Sequence, residues 1–269
     1  VSLPVLVAAG LALNLAASLV VFWRGSLDAG GAVVGIVVGT VIFACGGPLF
    51  WIVMMVFFVT STALGYVGRR RKEALKKIHQ KGGRRDMFQV LANGGVGAAC
   101  ALLYKLTGSP AWAVGFAVSF ASSNADTWAS EVGVLSRGQP VSLFTFRPVT
   151  RGVSGGVSVL GSSMALGGAI FIGLVFALEN LSLGIPAGGF VRLGLVVALG
   201  GFVGSVLDSL LGATIQAQYA GASGELTERP RGVDGSRNEL VRGFRFINND
   251  VVNFASCALA TLLIVLLTP

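Results

Sequence analysis

The sequence predicts an all-α protein, a polytopic transmembrane helix bundle of seven or eight spans. Three observations predict it. Of the 269 residues, 54% are hydrophobic and 12% charged, with a mean hydropathy of +0.79, a balance that a water-exposed surface does not allow. The apolar residues fall into runs of spanning length, and lysine and arginine gather in alternate connections between them. The 39 glycines lie mostly inside the apolar runs, where small residues let helix backbones approach closely.

A span needs about 20 apolar residues, and the runs near 3–23, 29–46, 48–68, 88–107, 110–135, 155–178, 189–214 and 247–267 approach that length. The first, Leu3 to Trp23, lacks the basic flank and cleavage site of a signal peptide and reads as a spanning helix. Gly46-Gly47-Pro48 is a tight outer turn or a break inside one longer re-entrant element, which sets the count at seven or eight. With the N-terminus outside, 18 of the 20 basic residues fall in inner connections, leaving only Lys105 and Arg192 near the outer face. An eight-span chain with both termini outside therefore obeys the positive-inside bias. The whole is a single integral membrane domain, with a basic cytoplasmic loop at 69–87 and a polar, irregular cytoplasmic loop at 215–246.

Some chemistry is excluded at once. Cys45, Cys100 and Cys257 are far apart in apolar runs and read as packing residues. The single histidine, His79, lies in the basic loop, so neither a histidine-rich metal site nor a Ser-His-Asp triad can be built. The segment from Arg69 to Arg85 reads either as an anchor on anionic headgroups or as a funnel for a polyanion such as a nucleotide. Nucleic acid is not the expected partner, because no soluble recognition module accompanies the charge.

Polar residues inside spans are costly and mark function. Ser122 to Glu131 puts two carboxylates, Asp126 and Glu131, with Asn124 and Thr127 at the inner end of the fifth span. At about 100° per residue, Asn124, Thr127 and Glu131 share a face and Asp126 lies off it, so both acids meet one ion only if the helix breaks. Arg147 and Arg151 precede Ser154, Gly155 and Gly156 just before the sixth span. Glycine amides, a helix N-terminus and guanidinium groups suit phosphate, though a plain loop-to-helix turn has the same composition. In the seventh span Gly201, Gly204, Ser205, Asp208, Gly212 and Gln216 form one stripe facing protein. The last span opens with Asn248, Asn249 and Asp250 and continues to Asn253. Asn249, Asp250 and Asn253 can line a pocket wall, while Asn248 or Asn249 can equally cap the helix. Asp126, Glu131, Asp208 and Asp250 are hard oxygen ligands that suit magnesium better than zinc.

These stretches, with Gln89 to Gly95 (Asn93 among them), the Asn124 to Gly133 run, Ser154 to Ser158, Gly204 to Thr214 and Asn248 to Phe254, resemble the membrane-bound phytyl-phosphate or polyprenyl-phosphate kinases of tocopherol and isoprenoid-diphosphate metabolism. The resemblance extends over residues 89–254. It implies a CTP-dependent kinase that converts a phytyl, geranylgeranyl or farnesyl monophosphate to the diphosphate, in a cell membrane or a plant plastid membrane. Magnesium would be held by Asp126, Asp208 and Asp250, and catalysis would rest on Asp126, Glu131 and Asp208. Nucleotide or phosphate contacts fall to Arg147, Arg151, Ser154, Gly155, Gly156, Asn93, Asn124, Asn249 and Asn253. Membrane lipid is a further partner, and self-association is compatible with the sequence. The rival expectation is a transporter of a cation or organic phosphate, since intramembrane carboxylates also line transport paths.

Overall fold

A computed structural model describes residues 2–68, 84–181, 187–221, 224–232 and 235–268. Seven helices appear among them: α1 (Leu3–Trp23), α2 (Ala29–Tyr66), α3 (Met87–Thr107), α4 (Pro110–Gly133), α5 (Val159–Leu181), α6 (Ala187–Thr214) and α7 (Asn249–Leu267). Their starts are written in the sequence. Proline opens α1 and α4, the Asp28 carboxylate accepts the Gly31 N–H at 2.7 Å, Asp86 and Gln89 form a capping box, and Asn248 caps α7.

The 38-residue α2 is not one straight rod. Gly47, at φ 74° and ψ −168°, occupies a region that only glycine enters readily, and Pro48 follows it. Arg85 bridges the backbone of Leu27, beside the start of α2, and its guanidinium lies 5.5 Å above the ring of Phe58, toward its end. Both ends of α2 are thus at one end of the molecule. The chain doubles back at Gly47, giving antiparallel legs of 29–46 and 48–66 and eight spanning legs among the described residues. The Gly46-Gly47-Pro48 segment is therefore the tight turn.

Six of the helices are long and apolar enough to cross a bilayer unaided; α4 is not among them. The reason is its position. It packs against α2, α3, α5, α6 and α7 and is buried almost without interruption from Ala111 to Ala125, so it never faces lipid and can carry Ser119, Ser122, Ser123, Asn124 and Asp126. Phe50 stacks on Phe116 at 4.1 Å, Phe116 meets Phe120 at 5.0 Å, and Phe57 meets Phe120 at 5.6 Å, an aromatic ladder joining α4 to the second leg of α2. Close approach elsewhere depends on missing side chains: a methyl on Gly201 would stand 2.5 Å from Ala121, and one on Gly204 would strike Ser122.

Two expectations are corrected. The 215–246 connection is not irregular, because β3 (Gln218–Ala220) pairs antiparallel with both β4 (Leu226–Thr227) and β5 (Glu239–Arg242). Its strands are too short and polar to show a period in the sequence. The glycine-rich segment before α5 likewise carries β2 (Gly156–Val157), paired with β1 (Val141–Ser142), which delays the helix to Val159. All the strands lie at the end that receives the 24–28 and 84–86 connections, the basic end. His79 and most of the 69–85 segment lie outside the described residues.

Candidate active site

A cavity of about 940 Å³ opens among the helices toward the basic end. Asp126, Glu131, Asp208, Asp250, Arg151, Ser154, Gly155, Gly156, Asn93, Asn249 and Asn253 all line it. Residues that the sequence spreads over 160 positions thus share one chamber.

At its centre the carboxyls of Asp126 on α4 and Asp208 on α6 stand within hydrogen-bonding reach of each other. The α4 helix runs unbroken past them, so the local break that would join Asp126 to Glu131 does not occur. Asp126 turns to Asp208 instead, and Glu131 faces Arg85. Asp208 is held from α7: Ser256 donates to Oδ2 at 3.0 Å, and the Asn253 amide, in its hydrogen-bonded orientation, donates to the same oxygen at 3.0 Å. Asn253 also donates to the Asn249 carbonyl, while Asn248 takes the capping role by accepting from Val251 N–H. The two alternatives for this asparagine cluster are therefore both used, by different residues.

One wall is the glycine-rich loop. Gly152 and Gly155 have φ of 83° and 80°, and a methyl on Gly155 would strike the Ala213 backbone nitrogen, so the loop sits flush on the end of α6. Ser158 accepts the Gly161 N–H at 3.1 Å and starts α5. The loop is held by a network the sequence did not reveal. Ser154 donates to Glu228, Gln216 donates to Glu228 at 3.0 Å and to Ser154 Oγ at 2.9 Å, and Arg242 donates to the Gly212 carbonyl at 3.1 Å. Glu228 is buried and lines the cavity, a fifth acid there and one placed near Asp208. Only its neighbour Pro230 and a lone carboxylate among arginines could have flagged it. Burial pushes the Arg242 guanidinium below its ordinary value.

The opposite wall is cationic. Arg85 N–H donates to Ser26 O at 2.9 Å and its carbonyl accepts from Asp28 N–H at 3.0 Å, which zips the entry to α3 onto the connection after α1. Arg84 lies against Gly25, and Arg24, Arg84 and Arg85 all line the cavity. Burial lowers the Arg85 value and Glu131 opposes that shift; arginine starts so high that it remains a cation at neutral pH. Arg151, on the glycine side, donates to Arg137 O at 2.7 Å.

Two of the expected contacts stand elsewhere. Arg147 is exposed and outside the lining, its carbonyl accepting from Ser142 N–H, because β1 and β2 turn it outward. Asn124 is fully buried and ties three helices: its amide donates to Gly168 O at 2.9 Å and its oxygen accepts from Thr60 at 3.2 Å. Asp250 lines the cavity, yet no three His, Cys, Asp or Glu side chains among the described residues gather closely enough to hold a metal by themselves. The Asp126–Asp208 pair still fits magnesium, which takes one or two carboxylates and completes its shell with water and phosphate oxygens. Two carboxylates this close repel unless a cation or proton lies between them.

The model of an integral membrane protein family, DUF92, matches residues 12–261. Protein PGR of Arabidopsis thaliana is 33% identical over 259 residues, covering 89% of this chain and 88% of that protein. An uncharacterised membrane protein of Methanocaldococcus jannaschii is 30% identical over 191 residues, covering 71% of this chain and 75% of that protein. The chloroplastic protein VTE6 of Arabidopsis thaliana is 25% identical over 264 residues, covering 94% of this chain and 70% of that protein. No solved structure matches. With nearly the whole length matched, and with relatives that fit the resemblance drawn from its motifs, the chain belongs to the DUF92 family of integral membrane proteins.

Proposed function

We propose that the protein is a prenyl-phosphate kinase, transferring the γ-phosphoryl group of CTP to a phytyl, geranylgeranyl or farnesyl monophosphate at the cytoplasmic face of its membrane. One observation carries the reading: two facing carboxylates lie in a large cavity between a glycine-rich loop and an arginine wall, at the basic end of a membrane bundle. The likeness to VTE6 and the motif resemblance support it.

In the reaction an oxygen of the acceptor monophosphate attacks the γ-phosphorus. A new O–P bond forms, the bond from the bridging oxygen to the γ-phosphorus breaks, and CDP leaves. A phosphate monoester is already nucleophilic, so no strong base is required, and positioning with charge neutralisation supplies most of the acceleration. The amide of Gly155 would hold nucleotide phosphate, with Arg151 offsetting its charge, while the Gly156 N–H, bonded to Val153 O, and the Ser154 hydroxyl, bonded to Glu228, shape the loop. Glu228 fixes that loop through Ser154 and is a positioning residue. Asp126 and Asp208 would hold magnesium, which would supply positive charge to neutralise the nucleotide phosphates. Arg85, kept in place by its backbone bonds, faces the acceptor side.

The test is transfer of labelled γ-phosphate from magnesium nucleotides to prenyl monophosphates by purified protein, with Asp208→Asn as control. Diphosphate formation that is lost in the control supports the kinase. Absence of transfer with every donor, from folded protein, rejects it in favour of transport of a cation or organic phosphate.

A further inference from the structure

The cavity does not end at the polar chamber. It continues between α1 and the two legs of α2, where its lining on α1 is Asn14, Ala17, Ser18 and Val21, a single stripe at i, i+3, i+4 and i+7. Across from them stand Val38 on the first leg and Met54, Met55, Phe57 and Phe58 on the second. The mouth of this arm is basic and its walls are mostly apolar, with Asn14 and Ser18 the polar exceptions on α1.

The mouth is built rather than incidental. Arg85 is locked through its backbone to Ser26 and Asp28, and its guanidinium lies over the ring of Phe58, one of the apolar wall residues. Arg84 packs on Gly25 beside it. The inner end is also defined. Trp51 Nε1 donates to Asn14 Oδ1 at 3.1 Å, Asn14 donates to Gly10 O at 2.8 Å, and a methyl on Gly39 would collide with the Asn14 side chain. Ten residues of α1 separate Arg24 from Asn14, which at 1.5 Å per residue makes the arm about 15 Å deep. Fixed cations at the head of a mostly apolar slot of that depth select an anion carrying a hydrocarbon tail.

We infer that this arm is the acceptor site: the isoprenoid tail lies between α1 and the α2 hairpin, its phosphate rests on Arg84 and Arg85, and the Asn14–Trp51 pair limits tail length. The identity of the tail rests on the kinase reading; the location of the site does not. The donor and acceptor phosphates then approach the acid pair from opposite walls. Two adjacent methionines in one wall give it the adaptability that a branched chain requires. The packing of α1 chiefly on α2 leaves the tail a route from the bilayer between these two helices.

The experiment is photolabelling of the full chain in nanodiscs, without nucleotide, by a farnesyl monophosphate carrying a diazirine at its far end. Adducts are expected within 10–21 and 48–58. Ala17→Trp, which fills the arm, and Arg85→Gln are each expected to lower labelling about tenfold, while Leu15→Trp, on the exposed face of α1 away from the cavity, leaves it unchanged. Trp51→Ala is expected to shift preference toward the longer geranylgeranyl monophosphate in competition. Adducts on α5 or α6, or full labelling of a folded Ala17→Trp protein, would overturn the inference. Competition by phosphatidic acid as strong as by unlabelled farnesyl monophosphate would overturn it too, marking a general phospholipid slot. Labelling as expected in a protein that transfers no phosphate would support the acceptor site and reject the kinase, so the two fail separately.

Discussion

At the scale of residues, the site depends on a few side chains whose burial is supported by specific partners. Asp208 accepts from Ser256 and Asn253 while facing Asp126, so Asp208→Asn keeps the shape and removes the charge. Phosphate transfer should fall by about 100-fold or more, the scale of losing a preorganised electrostatic contact, with little change in thermal stability; a γ-phosphate transfer assay beside a melting curve separates the two. Glu228 acts differently, since it holds Ser154 and Gln216 rather than substrate. Glu228→Ala leaves two buried polar groups short of a partner, at about 1–3 kcal/mol each. The nucleotide KM should rise, and Glu228→Gln should restore part of it through a retained acceptor oxygen. Gly155→Ala meets both a positive φ of 80° and the Ala213 backbone, and a several-degree drop in melting temperature is the expected reading.

At the scale of elements, the α2 hairpin and the folded basic-end loops set the geometry. Gly47→Ala meets no neighbouring atom within 4 Å, so its cost is backbone strain alone, about 1–3 kcal/mol. A lower unfolding temperature in detergent with an unchanged substrate profile would show that the turn is structural. This level also shows what the sequence makes legible. Spans are readable because lipid demands long apolar runs, and the Gly-Gly-Pro turn because backbone chemistry there is unusual. Asp126 and Asp208 stand out because an acid in a span is expensive. Partnership is less legible: that Asp126 meets Asp208 rather than Glu131 depends on how α4 lies against α6. Glu228 could not be told from solvated acids, since two- to four-residue strands carry no period and its burial comes from Gln216 and Ser154, distant in sequence. Asn124 looks chemical by type and is consumed in packing, because a central helix uses polar side chains to tie its neighbours.

At the scale of the whole molecule, an asymmetric distribution of polarity turns a helix bundle into a one-ended device. The folded loops, the acid pair and the arginines occupy the basic end, while the opposite end offers short turns at 46–48 and 107–110. Cysteine substitution at Ser136 should therefore react with an impermeant thiol reagent only from the side bearing the basic loops, and substitution at Thr107 only from the other; both reacting from one side would contradict the eight-leg arrangement. Removal of divalent cations by EDTA should abolish transfer and added magnesium should restore it, which an ion-independent mechanism would not show.

The two donors that serve Asp208 come from α7, which follows both acids in the chain. Synthesis runs from the N-terminus, so a ribosome that has delivered α1 to α6 has produced both acids but neither the Ser256 hydroxyl nor the Asn253 amide. Insertion of α7 is then the event that supplies Asp208 with both donors, and a chain stalled short of it leaves the acid pair without them. The acid pair is thus organised only once α7 has joined the bundle.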